Sequence, residues 1–338
     1  MDIDVWYDVR NPQQWRRDPA TLYAETLEQI AWADGLSFGA AWLSEHHFTD
    51  EGYLPALTPM LGAIAMRTTR MRLGTAVLLA PLYHPLRLAE EMAVVDALSG
   101  GRLDLGIAPG YRLKEFEVMG VTKSERGTRT DEIIELLLAA WSMPRVTYRG
   151  RHFQFDDVAV APKPVQRPHP PLWIGGSTPA AARRAVRFGA NFMPDSGAPP
   201  EVFQLYRDEC SAAGQPVGQV ATNLVVHVCD DPERGWHDVK EHYFYVRQVY
   251  QQWFAEAGDF TQVDDSVRVA DDLPRGAYVV GTPDMVIDAI ERRREERGFD
   301  RLIFWARPPG IDIETSSRSL ELMATKVLPH FAPAAQQS

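Results

Sequence analysis

The sequence contains very little cysteine and no long hydrophobic run. Cys210 and Cys229 are its two cysteines among 338 residues, and they lack C-x-x-C spacing. We therefore expect neither a disulfide framework nor a cysteine zinc site. The most apolar stretch, residues 76–83, is much shorter than the roughly 20 residues that cross a bilayer. With an acidic start where a secretory signal would be basic, these absences predict a cytoplasmic protein without a membrane segment.

Positive charge is in the minority. The chain has 35 Lys and Arg against 46 Asp and Glu, a formal net charge of −11. Such a balance opposes binding to nucleic acid or to an anionic membrane, so neither is expected as a partner. One basic cluster stands out: Arg292, Arg293 and Arg294 are flanked by Glu291, Glu295 and Glu296. On a helix this spacing favours a solvated surface of ion pairs.

Short runs rich in β-branched and apolar residues alternate with amphipathic helical segments along the whole chain. Eight such strand-like runs occur, at residues 3–9, 38–43, 71–79, 103–108, 172–175, 191–193, 222–228 and 302–305. Eight alternating units favour an α/β fold of the closed (β/α)8 barrel type, the TIM barrel. A doubly wound open sheet is the structural rival, but the G-x-G-x-x-G turn typical of it is absent. We expect one domain over residues 1–338.

Two segments interrupt this alternation. Residues 144–171 contain a hairpin-like stretch followed by many prolines, and residues 230–281 separate the seventh and eighth strands. We interpret both as insertions, with the barrel carrying insertions at its C-terminal mouth. Because the second follows a strand, it should emerge at that mouth, where loops cover ligands. It is our candidate lid.

Glu45, His46 and His47 form the densest polar cluster, directly after the second strand. Catalytic groups of a barrel converge at the C-terminal ends of the strands. A histidine there can move a proton near neutral pH, and a neighbouring carboxylate increases its basicity. A hydrogen-bonded cluster without catalytic duty is an equally good interpretation, and metal binding remains a further alternative.

Glycine-rich turns follow the fourth and fifth strands. Gly175 and Gly176 precede Ser177, Thr178 and a helix, an arrangement that can bind phosphate through free backbone amides. A plain barrel turn in which Thr178 caps the helix is the alternative, favoured on this motif alone. In the other turn, residues 106–112, Arg112 is either a phosphate ligand or a surface charge.

The combination of motifs resembles the bacterial luciferase-like, flavin-dependent monooxygenases. The likeness rests on the segment around His46 and extends in family order over nearly the whole chain. The matching segments are residues 44–49, 73–77, 84–87, 99–103, 106–107, 187–189 and 280–284.

The resemblance assigns roles to individual residues. It implies that His46 is catalytic, that Glu45 is its neighbouring carboxylate near the flavin, and that Ser177 and Thr178 bind phosphate. Ala76 and Val77 match a pair joined by a non-proline cis peptide beneath the flavin ring.

Two positions depart from the family pattern near the expected flavin site. Ala108 replaces the cysteine that luciferase places against the flavin. Pro109 replaces an arginine that binds phosphate in many members, so phosphate binding depends on whether Arg112 substitutes for it.

The same resemblance implies a reaction. Reduced FMN and O2 would oxidise a small organic substrate through a flavin hydroperoxide, with a separate flavin reductase as a possible partner and a homodimer as the assembly. A barrel that transfers hydride from the 5-deazaflavin coenzyme F420 without O2 is the main alternative. A metal-dependent barrel hydrolase is a weaker one.

Overall fold

The chain folds into a barrel of parallel strands surrounded by helices. The computed structural model describes residues 1–260 and 263–332. In this part of the chain the strands are β1 (Asp2–Tyr7), β2 (Ala40–Leu43), β3 (Arg72–Thr75), β4 (Leu78–Leu79), β5 (Leu103–Ala108), β6 (Arg145–Arg149), β7 (Gln154–Ala159), β8 (Leu172–Gly175), β9 (Asn191–Met193), β10 (Ala221–Leu224), β11 (Val226–Val228), β12 (Val279–Gly281) and β13 (Arg301–Trp305). The helices are α1 (Pro19–Asp34), α2 (Leu57–Arg67), α3 (Pro85–Leu98), α4 (Leu113–Val118), α5 (Arg126–Ser142), α6 (Pro179–Arg187), α7 (Pro200–Ala212), α8 (Pro232–Glu256), α9 (Pro283–Arg297), α10 (Ile313–Leu322) and α11 (Leu328–Phe331).

Eight of these strands form the barrel wall. Their order is β10, β13, β1, β2, β3, β5, β8 and β9, and every pairing along this path is parallel. An isolated parallel bridge between Phe192 and Val220 brings the two ends of the path together. The wall is therefore a nearly closed barrel, which confirms the predicted fold.

Alternation along the strands separates two cores. Ile3, Val5 and Tyr7 of β1 pack with the helices in the outer core, because successive side chains of a strand point to opposite faces. Trp6 and Asp4 belong to the other face. The barrel interior contains a tryptophan-rich cluster of Trp6, Trp42, Trp173, Met193, Ile303 and Trp305.

The N-terminal end of the barrel interior, which we call the floor, is made of paired charges. Arg301 donates to Asp4 Oδ2 and to Asp2 Oδ2, each at 2.8 Å. Trp42 Nε1 donates to the same Asp4 oxygen at 2.7 Å. Burial raises the pKa of Asp4 to about 6, although the Arg301 charge lowers it. The floor thus ties β1, β2 and β13 together through one carboxylate.

Two of the predicted strands are interrupted. The run at 71–79 divides into β3 and β4, and the peptide between Ala76 and Val77, which lies between them, is cis, as the resemblance implies. The run at 222–228 divides into β10, in the barrel, and β11, which pairs with β12 in a separate two-stranded sheet. The hydrophobic pattern located both runs but not the breaks.

The two insertions differ in position. In residues 144–171, β6 and β7 form an antiparallel hairpin packed against α5, outside the barrel wall. Gln166 then reaches the start of β5, donating to the Leu103 carbonyl. The second insertion, 230–281, contains the 25-residue helix α8, which begins at the Asp231 cap, as well as β12; its residues 261–262 lie outside the described residues.

No helix in the described part of the chain is both long enough and apolar enough to cross a membrane.

Candidate active site

The predicted catalytic cluster lies just beyond the C-terminal end of β2. The strand ends at Leu43, so residues 44–47 are free of strand alternation. Glu45 and His46 are both buried, and His47 is partly buried. Because the strand has ended, the two adjacent histidines do not have to point to opposite faces, and each forms its own carboxylate pair.

His46 pairs with Glu115, which lies 69 residues further along the chain. His46 Nδ1 is 2.8 Å from Glu115 Oε1, and the same oxygen accepts the His47 backbone N–H at 2.9 Å. Glu115 is fully buried on the short helix α4. Because a carboxylate only accepts, Nδ1 carries the hydrogen of a neutral His46, and Nε2 keeps its lone pair. Within residues 1–260 and 263–332, Nε2 has no hydrogen-bond partner.

Glu45 pairs with His47 rather than with His46. His47 Nε2 lies 2.6 Å from Glu45 Oε1, which also accepts from the Tyr83 hydroxyl at 3.0 Å. Burial lowers the pKa of His47, but the hydrogen bond and charge of Glu45 outweigh it, so the pKa is raised. Glu45, which is buried, and His47, which is partly buried, therefore form a second pair beside the His46–Glu115 pair.

Aromatic rings surround His46. Tyr53 and Trp253 have ring centroids 4.8 Å from its imidazole, and those of Tyr111 and Tyr250 lie at 5.7 and 6.4 Å. Tyr250 and Trp253 belong to α8, within the second insertion. The helix predicted as part of a lid therefore contacts the predicted catalytic histidine directly.

Arg10 is buried at the same end of the barrel, just after β1. Its guanidinium lies over the rings of Tyr53 and Tyr250, at 4.4 and 4.7 Å. Its Nε is 2.9 Å from Asp8 Oδ2, yet none of its nitrogens forms a well-aligned hydrogen bond. Burial raises the pKa of Asp8 to about 6, against the lowering effect of Arg10.

The apolar residues predicted to bind the flavin ring meet at the C-terminal ends of three strands. A Cβ added to Gly175 would lie 2.6 Å from Val77 Cγ1 and 3.5 Å from Ala108 Cβ. Ala76 and Val77 also pack with the tryptophan-rich cluster of the barrel interior. The structure brings Ala76, Val77, Ala108 and Gly175 together, and glycine is required at 175 by the close approach of Val77.

The predicted phosphate turn lies at the start of α6. Gly176 has a φ of +129°, and Thr178 caps the helix by accepting the Ala181 N–H. The Ser177 hydroxyl donates to the carboxylate of Asp195, which is exposed after β9. A phosphate at this turn would meet free amides but also a negative charge.

Arg112 is engaged elsewhere. Its guanidinium donates to the backbone carbonyls of His47 and Phe48 and lies 4.7 Å over the Trp253 ring. No contact among the described residues joins it to Ser177. Arg112 holds the segment that carries the histidines, so the alternative of an idle surface charge is wrong, while its role toward a phosphate remains a prediction.

Sequence reasoning missed Glu115, Arg10, Tyr250 and Trp253. Glu115 follows the tight turn at 106–112, which is the one signal that could have pointed to it. Arg10 directly follows the first strand and could have been found by the strand-end argument that located His46. The sequence places residues 230–281 at the mouth, but it does not indicate which side chains of α8 reach His46.

A metal centre would need a denser set of donors. The described residues contain no group of three or more His, Cys, Asp or Glu side chains placed to hold a metal ion.

Comparison with known proteins identifies the family of the chain. The family model for luciferase-like monooxygenase matches residues 3–301. The chain is 30% identical to the oxygenase component of flavin-dependent trigonelline monooxygenase from Acinetobacter baylyi, over 92% of this chain and 90% of that protein. It is also 30% identical to F420-dependent glucose-6-phosphate dehydrogenase from Microbacterium testaceum, over 91% and 93%. The crystal structure of monooxygenase RslO1 from Streptomyces bottropensis matches with a TM-score of 0.88 and 28% identity, over 98% of this chain and 100% of that one. The chain is therefore an oxidoreductase that belongs to the luciferase-like monooxygenase family.

Proposed function

We propose that this protein is a flavin-dependent monooxygenase that uses reduced FMN and O2 to oxidise a small organic substrate. The observation that carries the proposal is the buried His46–Glu115 pair, whose free Nε2 lies in a wall of aromatic rings. A full-length relative named as a flavin-dependent monooxygenase and the close match to a solved monooxygenase support it.

The residues fit a flavin ring. Val77, Ala108 and Gly175 form an apolar surface at the strand ends, and the glycine lets Val77 pack closely there. Ser177 and Thr178 would hold the phosphate through their backbone amides and the Ser177 hydroxyl, opposed by Asp195, while the Gly176 N–H donates to the Met193 carbonyl. When bound, reduced FMN would supply the electrons that activate O2.

The protein's own contribution is control of one proton and exclusion of water. Glu115 orients the imidazole so that Nε2 of His46 can accept a proton or, once charged, donate one. Tyr53, Tyr250 and Trp253 keep the histidine nearly dry. Water that enters the site diverts reduced flavin from oxidising the substrate. A covered site therefore suits oxygenation.

We assign α8 as the lid. Its Trp253 contacts His46, Tyr250 packs on Arg10, and Tyr245 donates to Glu51 Oε2 at 2.6 Å. In this proposal, α8 moves away from the mouth to admit substrate and flavin to His46, so lid motion is part of the catalytic cycle.

Two partners complete the proposal. A separate flavin reductase would deliver reduced FMN, in keeping with the relative named as an oxygenase component.

A homodimer would form through the outer face of α2 and α3, where Met66, Val94 and Leu98 are exposed. Light scattering on the purified protein measures the mass of the assembly and so tests the homodimer directly.

The discriminating experiment is an anaerobic titration with reduced FMN and with reduced F420, followed by admission of O2. Saturable FMN binding and O2 uptake coupled to substrate oxidation are expected. Binding of F420 alone, without O2 uptake, would reject the proposal. That result would favour hydride transfer, as in the F420-dependent relative with 30% identity.

A further inference from the structure

A large groove lies between α8 and α9, and His46 is not among its lining residues. It has a volume of about 830 Å³, which is in the range of small-molecule sites. One wall is the α9 helix, and the other is formed by the start of α8 and residues 275–280. Its apolar surface comes from Leu224, Val280, Val286 and Ala289.

Four arginines line this groove: Arg275, Arg292, Arg293 and Arg297. Arg275 forms a two-point ion pair with Glu233, at 2.6 and 3.0 Å. The other three have no ion pair with any acid among residues 1–260 and 263–332. The expected surface around 292–294 is solvated at Arg292 and Arg294, but the expected ion pairs do not form among the described residues, and Glu291 pairs with His330 instead.

Two backbone carbonyls hold the Arg293 guanidinium in place at the groove. Arg293 donates to the carbonyls of Ala289 and Gly276, both at 3.1 Å, and keeps further N–H donors unused. The Nε of Arg297 is buried without any hydrogen-bond partner. A buried donor left unsatisfied costs free energy, which a ligand oxygen would recover.

The local charge is positive in a protein of net charge −11. Burial and the charges of Arg292 and Arg297 lower the pKa of Arg293, and Glu296 offsets this only in part. After the Arg275–Glu233 pair is set aside, three arginines face the single carboxylate of Glu296 in the groove lining. An anion with at least two negative charges would balance them.

We propose that this groove binds an organic phosphate of nucleotide size. Planar guanidinium groups bind phosphate oxygens through paired hydrogen bonds. A lone carboxylate would satisfy the donors of these guanidinium groups less completely. The wall of Val280, Val286 and Ala289 would pack against the organic part. None of the residues that contact His46 lines the groove, and the proposal does not depend on the proposed oxygenase reaction.

Calorimetric titration of the full chain with ADP and with inorganic pyrophosphate, in low salt and without flavin, tests the proposal. We expect one saturable site, with ADP binding more tightly than pyrophosphate because of the apolar wall. Arg292→Gln and Arg297→Gln should each weaken ADP binding roughly tenfold. Arg294→Gln is the matched control, since this exposed neighbour on α9 does not line the groove.

Three outcomes would overturn the proposal: no saturable ADP binding, equal affinity for pyrophosphate and ADP, or equal weakening by Arg294→Gln and Arg292→Gln. A glutamate-rich peptide that binds where ADP does not would indicate an acidic protein partner instead. Arg292 is exposed, so its variant tests the site even if Arg297→Gln is unstable. Oxidation of substrate should be unchanged in Arg292→Gln, which separates this test from that of the oxygenase function.

Discussion

Two buried arginines stand at opposite ends of the same barrel and are held in different ways. Arg301, at the floor, donates two 2.8 Å hydrogen bonds to Asp2 and Asp4. Arg10, at the mouth, lies on aromatic faces beside Asp8, with no nitrogen in a well-aligned hydrogen bond. Asp4 lies within β1, and Asp8 directly follows the last residue of that strand, about 13 Å further along if the chain stays extended.

The contrast separates structure from function. Well-paired buried charges fix one arrangement of strands, and removing one partner leaves the other uncompensated. Unsatisfied polar groups raise the energy of the folded state and persist where a ligand or a motion uses them. The floor should therefore govern stability, and the mouth should govern turnover.

The strongest test of this division is His46→Ala. Loss of a positioned acid–base group lowers turnover by about 10²–10⁴-fold. Flavin affinity and the midpoint of thermal unfolding should stay close to those of the unchanged protein. Turnover is measured as substrate-dependent O2 uptake, and full activity in this variant would remove His46 from the mechanism.

The reverse test is Arg301→Met. It leaves Asp4 buried without its cationic partner, so the free energy of unfolding should fall by about 3–5 kcal/mol. Urea unfolding measures the loss. Arg301→Lys keeps the charge but not the two-point geometry, so its free energy of unfolding should lie between those of the unchanged protein and Arg301→Met. Turnover of the folded fraction should not change, and a loss comparable to that of His46→Ala would erase the contrast between the two ends.

Glu115→Gln sharpens the comparison within the mouth. The amide keeps the shape but not the charge that orients His46, and a hydrogen bond to a charged group is worth about 1.5–3 kcal/mol. We expect kcat to fall roughly 10- to 100-fold, with a shifted pH profile of kcat. Glu117→Gln, on the exposed side of the same helix, is the control and should be silent.

The pH dependence of stability reports on Asp8. Its pKa is about 6 in the folded state and 3.8 as a free side chain, so the folded protein binds more protons between these values. Stability contributed by this group therefore falls as the pH rises from about 4 to about 6. Asp8→Asn should make that decline shallower, as measured by urea unfolding across the range. An unchanged slope would contradict the burial argument.

The smallest effect concerns the phosphate turn. Asp195 accepts from Ser177 where the phosphate of FMN would bind. Asp195→Asn removes this negative charge and should tighten FMN binding about fivefold, because an interaction between two exposed charges is worth up to about 1 kcal/mol. Fluorescence titration with FMN measures this. Ser177→Ala should have the opposite effect, and tightening in both variants would place the phosphate elsewhere.

The sequence pattern predicted the barrel because each strand and each apolar helix face is formed by residues that are close together in the chain. It also located His46, which follows a strand directly. Glu115 and Trp253 escaped because they reach His46 from positions 69 and 207 residues away, through α4 and α8. The arginines of α9 were misjudged for the related reason that helical spacing permits an ion pair but does not show which groups compete for it.

Helix α8 presents Val246, Tyr250 and Trp253 to the mouth from one continuous rod. Their separations of four and three residues place them on a single stripe. Substitutions on this stripe could make these side chains larger or smaller without changing the strand pairing of the barrel. The same scaffold would then admit new compounds through replacements confined to one edge of one helix.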